Sequence, residues 1–542
     1  MSDLIESKDV NTAEKSVDSA PEFAHSDSLN NPKYMPSKYN AFMRTFDGIS
    51  LLVNLQSTPI AFVNTLGSAL LTGGPRAVFW GPVIGWAVAT CISGSLAEMA
   101  SVEPYVGGQY IWVYTNAPPW FSKKGRLMLS HVQAYLTWIG WLLATAVLPT
   151  LMSGQIMELV EIYHPNVANW TLHQIGGLQV GIGCVIVLLC FWCTLNKYLR
   201  IVLRPLEVLG MILVFVIVII LIVVFPVMGE RNSAHMAYLS STIDQANTAW
   251  GNSGFAFCQG ITLIFFMYTA SDGIVHMAAE VKDSEVTVPK IIFRSTQIGA
   301  LLSIPLAVLI PLFMGPLTDN VLSAPYPIIE ILFDRSNSRP LVSCVTCLII
   351  LQTCPVACGA FATTSRLTLQ LAQQGAMPEW WCQFWSLRGA RGPLLFVCSF
   401  SVVLLLINIG SSVALLIMFS LATGFLVLSY GLLIATRIAG RISRGHDIRQ
   451  GKWSMGKYGF LVNCIAAPPC FFIVLCQILP LFEPITASTF PYLGPSIAFV
   501  LLLSIVDNFC RGHAFNPIRN IRVANTIVEE DPTSASYRLA VV

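Results

Sequence analysis

Thr269-Ala270-Ser271-Asp272-Gly273, with His276 three residues further on, interrupts an apolar run that extends over residues 253–279. An aspartate at that depth in hydrocarbon costs roughly 2.5 kcal/mol or more unless a cavity or a partner offsets it. The β-branched Thr, the Ser, the acid and the Gly all weaken helix. The stretch therefore predicts a membrane helix that is opened on purpose. Membrane transporters place such broken helices at the substrate site, where freed backbone groups and helix ends meet a ligand.

The rest of the chain supplies the membrane setting. Of its 542 residues, 54% are hydrophobic and only 11% charged, against about 25% charged in a soluble domain. Mean hydropathy is +0.66. A net charge of +2 points to neither a nucleic acid nor an acidic partner. A spanning helix needs about 20 apolar residues, and twelve stretches qualify: 47–71, 77–101, 130–156, 176–195, 205–228, 253–279, 295–315, 340–363, 394–409, 412–436, 459–481 and 490–508. Residues 1–43 lack an apolar run and read as a disordered cytosolic tail without a cleavable signal. Residues 44–508 form the transporter domain, and 509–542 a second cytosolic tail.

Charge orients the spans. With the amino terminus inside, only Arg76, Arg231, Arg335 and Arg339 of the 31 Lys and Arg residues fall in outer loops. That asymmetry predicts both termini in the cytosol. Asn169-Trp170-Thr171 is a glycosylation sequon in an outer loop, which makes Asn169 a candidate acceptor. Cys190-Phe-Trp-Cys193 and Cys344-Val-Thr-Cys347 have CxxC spacing without a second pair or clustered His, so they read as structural rather than metal or redox sites. Gly177, Gly181 and Gly183 follow no strand. They predict close helix packing, not a nucleotide loop.

Inverted-repeat transporters carry matching breaks in corresponding helices of each half. Span one contains Asn54-Leu55-Gln56-Ser57-Thr58-Pro59, in which proline removes a backbone donor and blocks the preceding turn. The fold expected is therefore all-α, with a five-plus-five inverted repeat, discontinuous spans one and six, and two further helices. The substrate site expected is Gln56, Ser57 and Thr58 facing Thr269, Ala270, Ser271 and Asp272. Trp138 and Trp141 of span three offer aromatic faces for an ammonium. Asp272 has three available roles: attracting an ammonium, proton coupling, or capping the restarted helix. His276, one turn on, is either a proton carrier or a packing residue. A carboxylate beside the positive end of a restarted helix suits a zwitterion better than a lone cation.

Span two ends in Ser95-Leu96-Ala97-Glu98-Met99-Ala100-Ser101-Val102-Glu103-Pro104, then Gly107-Gly108-Gln109-Tyr110-Ile111-Trp112. This resembles the E-L-A-S-x-x-P-x-x-G-G-x-Y-x-W signature of amino acid permeases. Asp272 to Pro289 resembles the D-x-x-x-H-M-x-E-E-x-x-x-P-x-x-x-x-P stretch of the fungal amino acid/choline transporter family, within the amino acid–polyamine–organocation superfamily. The resemblance extends over about residues 40 to 510. It implies a secondary permease for a small amino acid or γ-aminobutyrate-like zwitterion, driven by protons. A choline, quaternary ammonium or polyamine transporter is the alternative, and a transporter-like nutrient sensor a more distant one. The partners implied are that small molecule, H+ and the lipid bilayer, without a cofactor, in the plasma membrane or the vacuolar membrane. Scattered His residues supply no enzyme-like acid/base or metal set.

Two departures from the family pattern stand out. Ser57-Thr58-Pro59 occupies the place of the Asn-Ser-Trp of choline-type members, which favours a different substrate. Gln373 and Gln374 replace a charged Arg-Asp pair at the cytosolic gate, which alters gating or coupling. Glu98, Pro104, Gly107 and Gly108 are expected to shape the cytosolic end of span two, with Glu98 paired to a basic loop residue and serving gating.

Overall fold

The computed structural model describes residues 43–517, except 165, 168–169, 196–198, 230, 241–251, 325, 378–390, 411–413, 446–449, 482–483, 487–488 and 513. The expected tails therefore lie almost wholly outside the described residues, as does Asn169. Among the described residues, eleven helices are long and apolar enough to cross a membrane, and a shorter apolar helix, Ser253–Tyr268, stands at the place of span six. Their order follows the twelve predicted stretches.

Span one is two helices, Thr45–Gln56 and Thr58–Thr72, hinged at Ser57, whose φ of 40° and ψ of 41° are left-handed. That conformation is unfavourable for a residue with a Cβ. Pro59 in the first turn of the second half has no amide to leave unpaired, so it helps the helix restart. Span six runs as helix over Ser253–Ile264, tightens to a 3-10 turn over Phe265–Tyr268 and becomes extended at Thr269. Ala270 then takes a φ of 62°, a second left-handed residue other than glycine. The chain resumes only as a 3-10 turn, Val275–Glu280. This corrects the expectation of apolar helix through 279. It also removes the capping role of Asp272: Ile274 holds the cap position, with no side-chain bond.

Several helices are longer than their apolar stretches. Span three is Lys123–Tyr163, 41 residues, or roughly 60 Å, about twice the hydrocarbon thickness. Span seven, Ser284–Phe313, starts well before its apolar part because Glu285 lies in the first turn, at the positive helix end. Hydropathy reads the lipid-crossing part of a helix, whereas caps and charge set its ends. Spans one and three are the innermost, with 89% of their apolar windows buried, against 28% for span four and 22% for span twelve. Spans two and seven pack along each other, and span three packs on both eight and ten.

Small residues permit several of these contacts. Gly183 packs on Leu405, and Gly176 on the backbone of Asn408 and Ile409. Gly177 and Gly181 have nothing within 4 Å of where a Cβ would stand, so the packing role expected for them does not hold. The most consequential glycine is Gly299 of span seven, whose missing Cβ leaves room for the Thr58 side chain beside the span-one hinge. Gly299→Val should overpack this site by about 1–3 kcal/mol, and Gly181→Val should be neutral. The check is the yield of monodisperse protein and its unfolding temperature in detergent: Gly299→Val falls well below wild type, and Gly181→Val matches it.

Candidate functional site

The two breaks meet. Gln56 Nε2 donates to Ser271 Oγ at 2.9 Å and lies 3.3 Å from Thr296 Oγ1, and Ser57 Oγ donates to Gln352 Oε1 at 3.2 Å. Beside them is a cavity of about 50 Å³, room for a few waters or a small ligand. Its polar wall includes Gln56, Ser57, Asn64, Thr269 and Thr353, and its aromatic wall Trp141, Phe266 and Phe419. Gln56 Oε1, Thr58 Oγ1 and Gln352 Nε2 are buried and have no hydrogen-bond partner within the protein. A buried polar atom without a partner costs about 1–3 kcal/mol. Three such atoms around one hinge make this a place that a polar ligand would stabilise.

Of the residues expected at the site, Gln56, Ser57, Thr269, Ala270 and Trp141 line the cavity. Thr58 packs on the place left by Gly299, and Ser271 bonds Gln56 from the side. Trp138 does not line it: its Nε1 donates to Thr368 Oγ1 at 3.0 Å, and its ring stacks on Phe396. Asp272 does not line it either. Its Oδ2 accepts from Gln109 Nε2 at 2.8 Å and Trp141 Nε1 at 2.8 Å, and its Oδ1 from the Tyr430 hydroxyl at 2.5 Å. His276 Nε2 lies 3.1 Å from Oδ2, and its Nδ1 is 3.1 Å from the Val106 carbonyl. Asp272 and His276 are both 0% exposed.

The proton count of this pair follows from its partners. The Val106 carbonyl can only accept, so Nδ1 donates to it. Nε2 and Oδ2 then need a further proton between them. Imidazolium with carboxylate and imidazole with carboxylic acid satisfy the geometry equally, and both make the pair neutral. Charge is thus cancelled locally, as the depth demands.

The span-two signature explains how this network is built. Gly108, at φ 48°, lets the re-entrant segment press on Val275 of span six. Gln109 follows immediately and is aimed at Asp272. Its own Oε1 accepts from Gln133 Nε2 at 3.1 Å, Ser429 Oγ at 3.0 Å and the Thr137 hydroxyl. Trp112 Nε1 closes the turn on the Glu103 carbonyl at 2.8 Å. Trp141 is shared: one part lines the cavity and its Nε1 holds Asp272. Sequence reading missed Gln109, Tyr430, Gln352 and Asn64. Only Gln109 carried a signal, its place in the signature.

Glu98 is 2% exposed and lies at the basic face of the bundle, away from the cavity. It pairs with Arg441 and lies 3.8 Å from Arg437 Nη2. Both belong to the helix of span ten, Ala414–Arg444, so the partner is helical rather than the loop residue expected. The same face carries an Arg366–Glu280 ion pair. There too the amide of Met43 donates to the Glu280 carbonyl and Lys282 to the Met43 carbonyl, both at 3.0 Å. Gln374 is held through its carbonyl by the Asn516 amide at 3.0 Å, while its side-chain amide has no partner.

Broken apolar helices that meet beside a largely apolar cavity with a few polar groups are the arrangement that membrane carriers use. The profile described as "Amino acid permease" matches residues 45–503. An Amino-acid permease 2 from Neurospora crassa is 23% identical over 491 residues, 89% of this chain and 86% of that one. A choline transporter from Saccharomyces cerevisiae is 24% identical, with 78% and 73% covered. Amino-acid permease BAT1 from Arabidopsis thaliana is 24% identical, with 88% and 93% covered. A crystal structure of a manganese transporter from Eremococcus coleocola superposes with a TM-score of 0.51 at 12% identity, covering 89% of this chain and 95% of that one, which shows a shared fold. The chain belongs to the amino acid permease family, and is a multi-pass membrane transporter rather than an enzyme.

Removing one donor tests the Asp272 network. Tyr430→Phe leaves Oδ1 without its bond, a cost of about 1–3 kcal/mol. The unfolding midpoint in detergent should drop by several degrees. An unchanged midpoint would mean that Asp272 does not depend on this donor.

Proposed function

We propose that the protein is a secondary permease that imports a small zwitterion, an amino acid or γ-amino acid, together with protons. One observation carries the substrate class: an unpartnered acceptor, Gln56 Oε1, belongs to a residue of the cavity wall, and an unpartnered donor, Gln352 Nε2, belongs to the residue that holds Ser57 of that wall. An ammonium suits the first and a carboxylate the second. The Asp272 carboxylate is already taken up by protein donors. A lone cation would therefore find no free countercharge in the cavity wall, whereas a zwitterion brings its own.

The second reading is a quaternary ammonium such as choline. The aromatic wall of Trp141, Phe266 and Phe419 favours it through cation–π attraction, and one relative is a choline transporter. The neutral amides at the hinge weigh against it, because a methylated ammonium has no donor for Gln56 and no carboxylate for Gln352.

In this reading both termini are cytosolic and the carrier sits in the plasma membrane. The distribution of Lys and Arg supports that orientation. The basic face is then the cytosolic one. Arg366–Glu280, Glu98 with its arginines and the Met43–Val281 pairing act there as the inner gate. Asp272 and His276 act in gating through Trp141: a substrate that leans on the indole bears on the group that holds the broken span.

The test is competition for uptake in cells lacking their own permeases. γ-Aminobutyrate or a small neutral amino acid should compete, and choline and putrescine should not. Gln352→Leu removes a hydrogen bond to a charged group, worth about 1.5–3 kcal/mol, so KM should rise roughly ten- to hundredfold with little change in expression. Competition by choline alone, with KM unmoved in Gln352→Leu, would replace this reading by the second.

A further inference from the structure

Another buried acid lies outside the cavity. Glu207, at the cytosolic-side start of span five (Leu199–Met228), is 4% exposed. Asn54 Nδ2 donates to its Oε2 at 2.8 Å and to its main-chain carbonyl at 2.6 Å. Its Oε1 has no donor, and neither has the Oδ1 of Asn54. Gly359 of span eight leaves the room: a Cβ there would stand 3.1 Å from Oε1. Among the described residues, the titratable groups that face Glu207 are thiols, Cys358 of span eight and, behind it, Cys190 and Cys193 of span four. Spans one and seven bring no charged group to it, and no cation pairs with it among the described residues.

An unpaired carboxylate in this setting costs several kcal/mol. Both unsatisfied atoms are acceptors, so what the site lacks is a proton, and one on Oε1 cancels the charge. The geometry points to Glu207, held by Asn54, as the group that carries the coupling proton. This rests on the proton-coupled reading above and names its carrier.

The link to substrate is short. Asn54 is three residues before the Ser57 hinge, and Leu55 lies both against the Gly359 position and in the cavity wall. Loss of the proton leaves a bare carboxylate that pulls on Asn54 and so biases the hinge. Protonation releases that pull. The charge state of Glu207 is thereby tied to the conformation of span one.

The experiment uses purified full-length protein in liposomes with the substrate identified by uptake. With wild type, an inward proton gradient should drive accumulation of about tenfold per pH unit for one proton per zwitterion. Glu207→Gln imitates the protonated form. It should keep substrate counterflow between equal pH compartments within about twofold of wild type and lose gradient-driven accumulation altogether. If wild type itself ignores the gradient, the proton-coupled reading fails. If wild type responds and Glu207→Gln still accumulates, Glu207 is not the carrier. Accumulation that follows a sodium gradient in wild type and is lost in Glu207→Gln would overturn the proton in favour of sodium. Should Glu207→Gln not fold, labelling of wild type by dicyclohexylcarbodiimide, which reacts with protonated carboxyls in apolar surroundings, decides the matter. Modification of Glu207 that slows at least tenfold from pH 6 to pH 9 supports the inference, and absent or pH-independent modification overturns it.

Discussion

A carboxylate at the centre of an apolar bundle has to be supplied with donors, and the structure is arranged around that need. Asp272 draws Gln109 from the re-entrant segment after span two, Trp141 from span three, Tyr430 from span ten and His276 from its own span. A broken helix has lost the backbone ladder that would otherwise fix it. The four partners replace that ladder with side chains from the surrounding scaffold, so the break is held in one geometry rather than left slack. The Gly107-Gly108 turn, the Gln133–Gln109 contact and the closed packing of spans three and ten all serve this arrangement.

Much of this was legible in the sequence because the signals were local. Pro59 beside Ser57, and Thr, Ser, Asp and Gly in a row at 269–273, weaken helix by their own chemistry, and both positions are hinged with left-handed residues. The spans follow from hydropathy alone. The direction of the Asp272 carboxylate was not legible, since three of its four partners lie 131 to 163 residues away in the chain. A carboxylate at a break reads equally as ligand-facing or protein-facing until those partners are in place. Gln352 and Asn64 are single polar residues within apolar helices, with nothing in spacing to separate a cavity residue from a packed one. Gly177 and Gly181 look like Gly183 in sequence but face outward, because packing is a property of the neighbour.

Asp272 and Glu207 differ in how far their oxygens are supplied with donors. Asp272 is saturated with donors and neutralised by His276, which makes it a fixed point of the scaffold. Glu207 has one donor and an idle oxygen, the asymmetry on which its proposed role as proton carrier rests. At the span-one hinge, Gln56 Oε1 and, from span eight, Gln352 Nε2 stand without partners. A substrate that satisfies those amides stabilises one setting of the hinge, and a differential of this kind is what moves a carrier between states.

The most direct measurement is an electron cryomicroscopy map of the transporter with its zwitterionic substrate bound. The account predicts density between Gln56 and Gln352, against the face of Trp141, with the carboxylate end toward Gln352 and Asp272 still bonded to Gln109, Trp141 and Tyr430. Density in which the substrate ammonium sits on the Asp272 carboxylate, with Trp141 or Tyr430 displaced from it, would contradict the account.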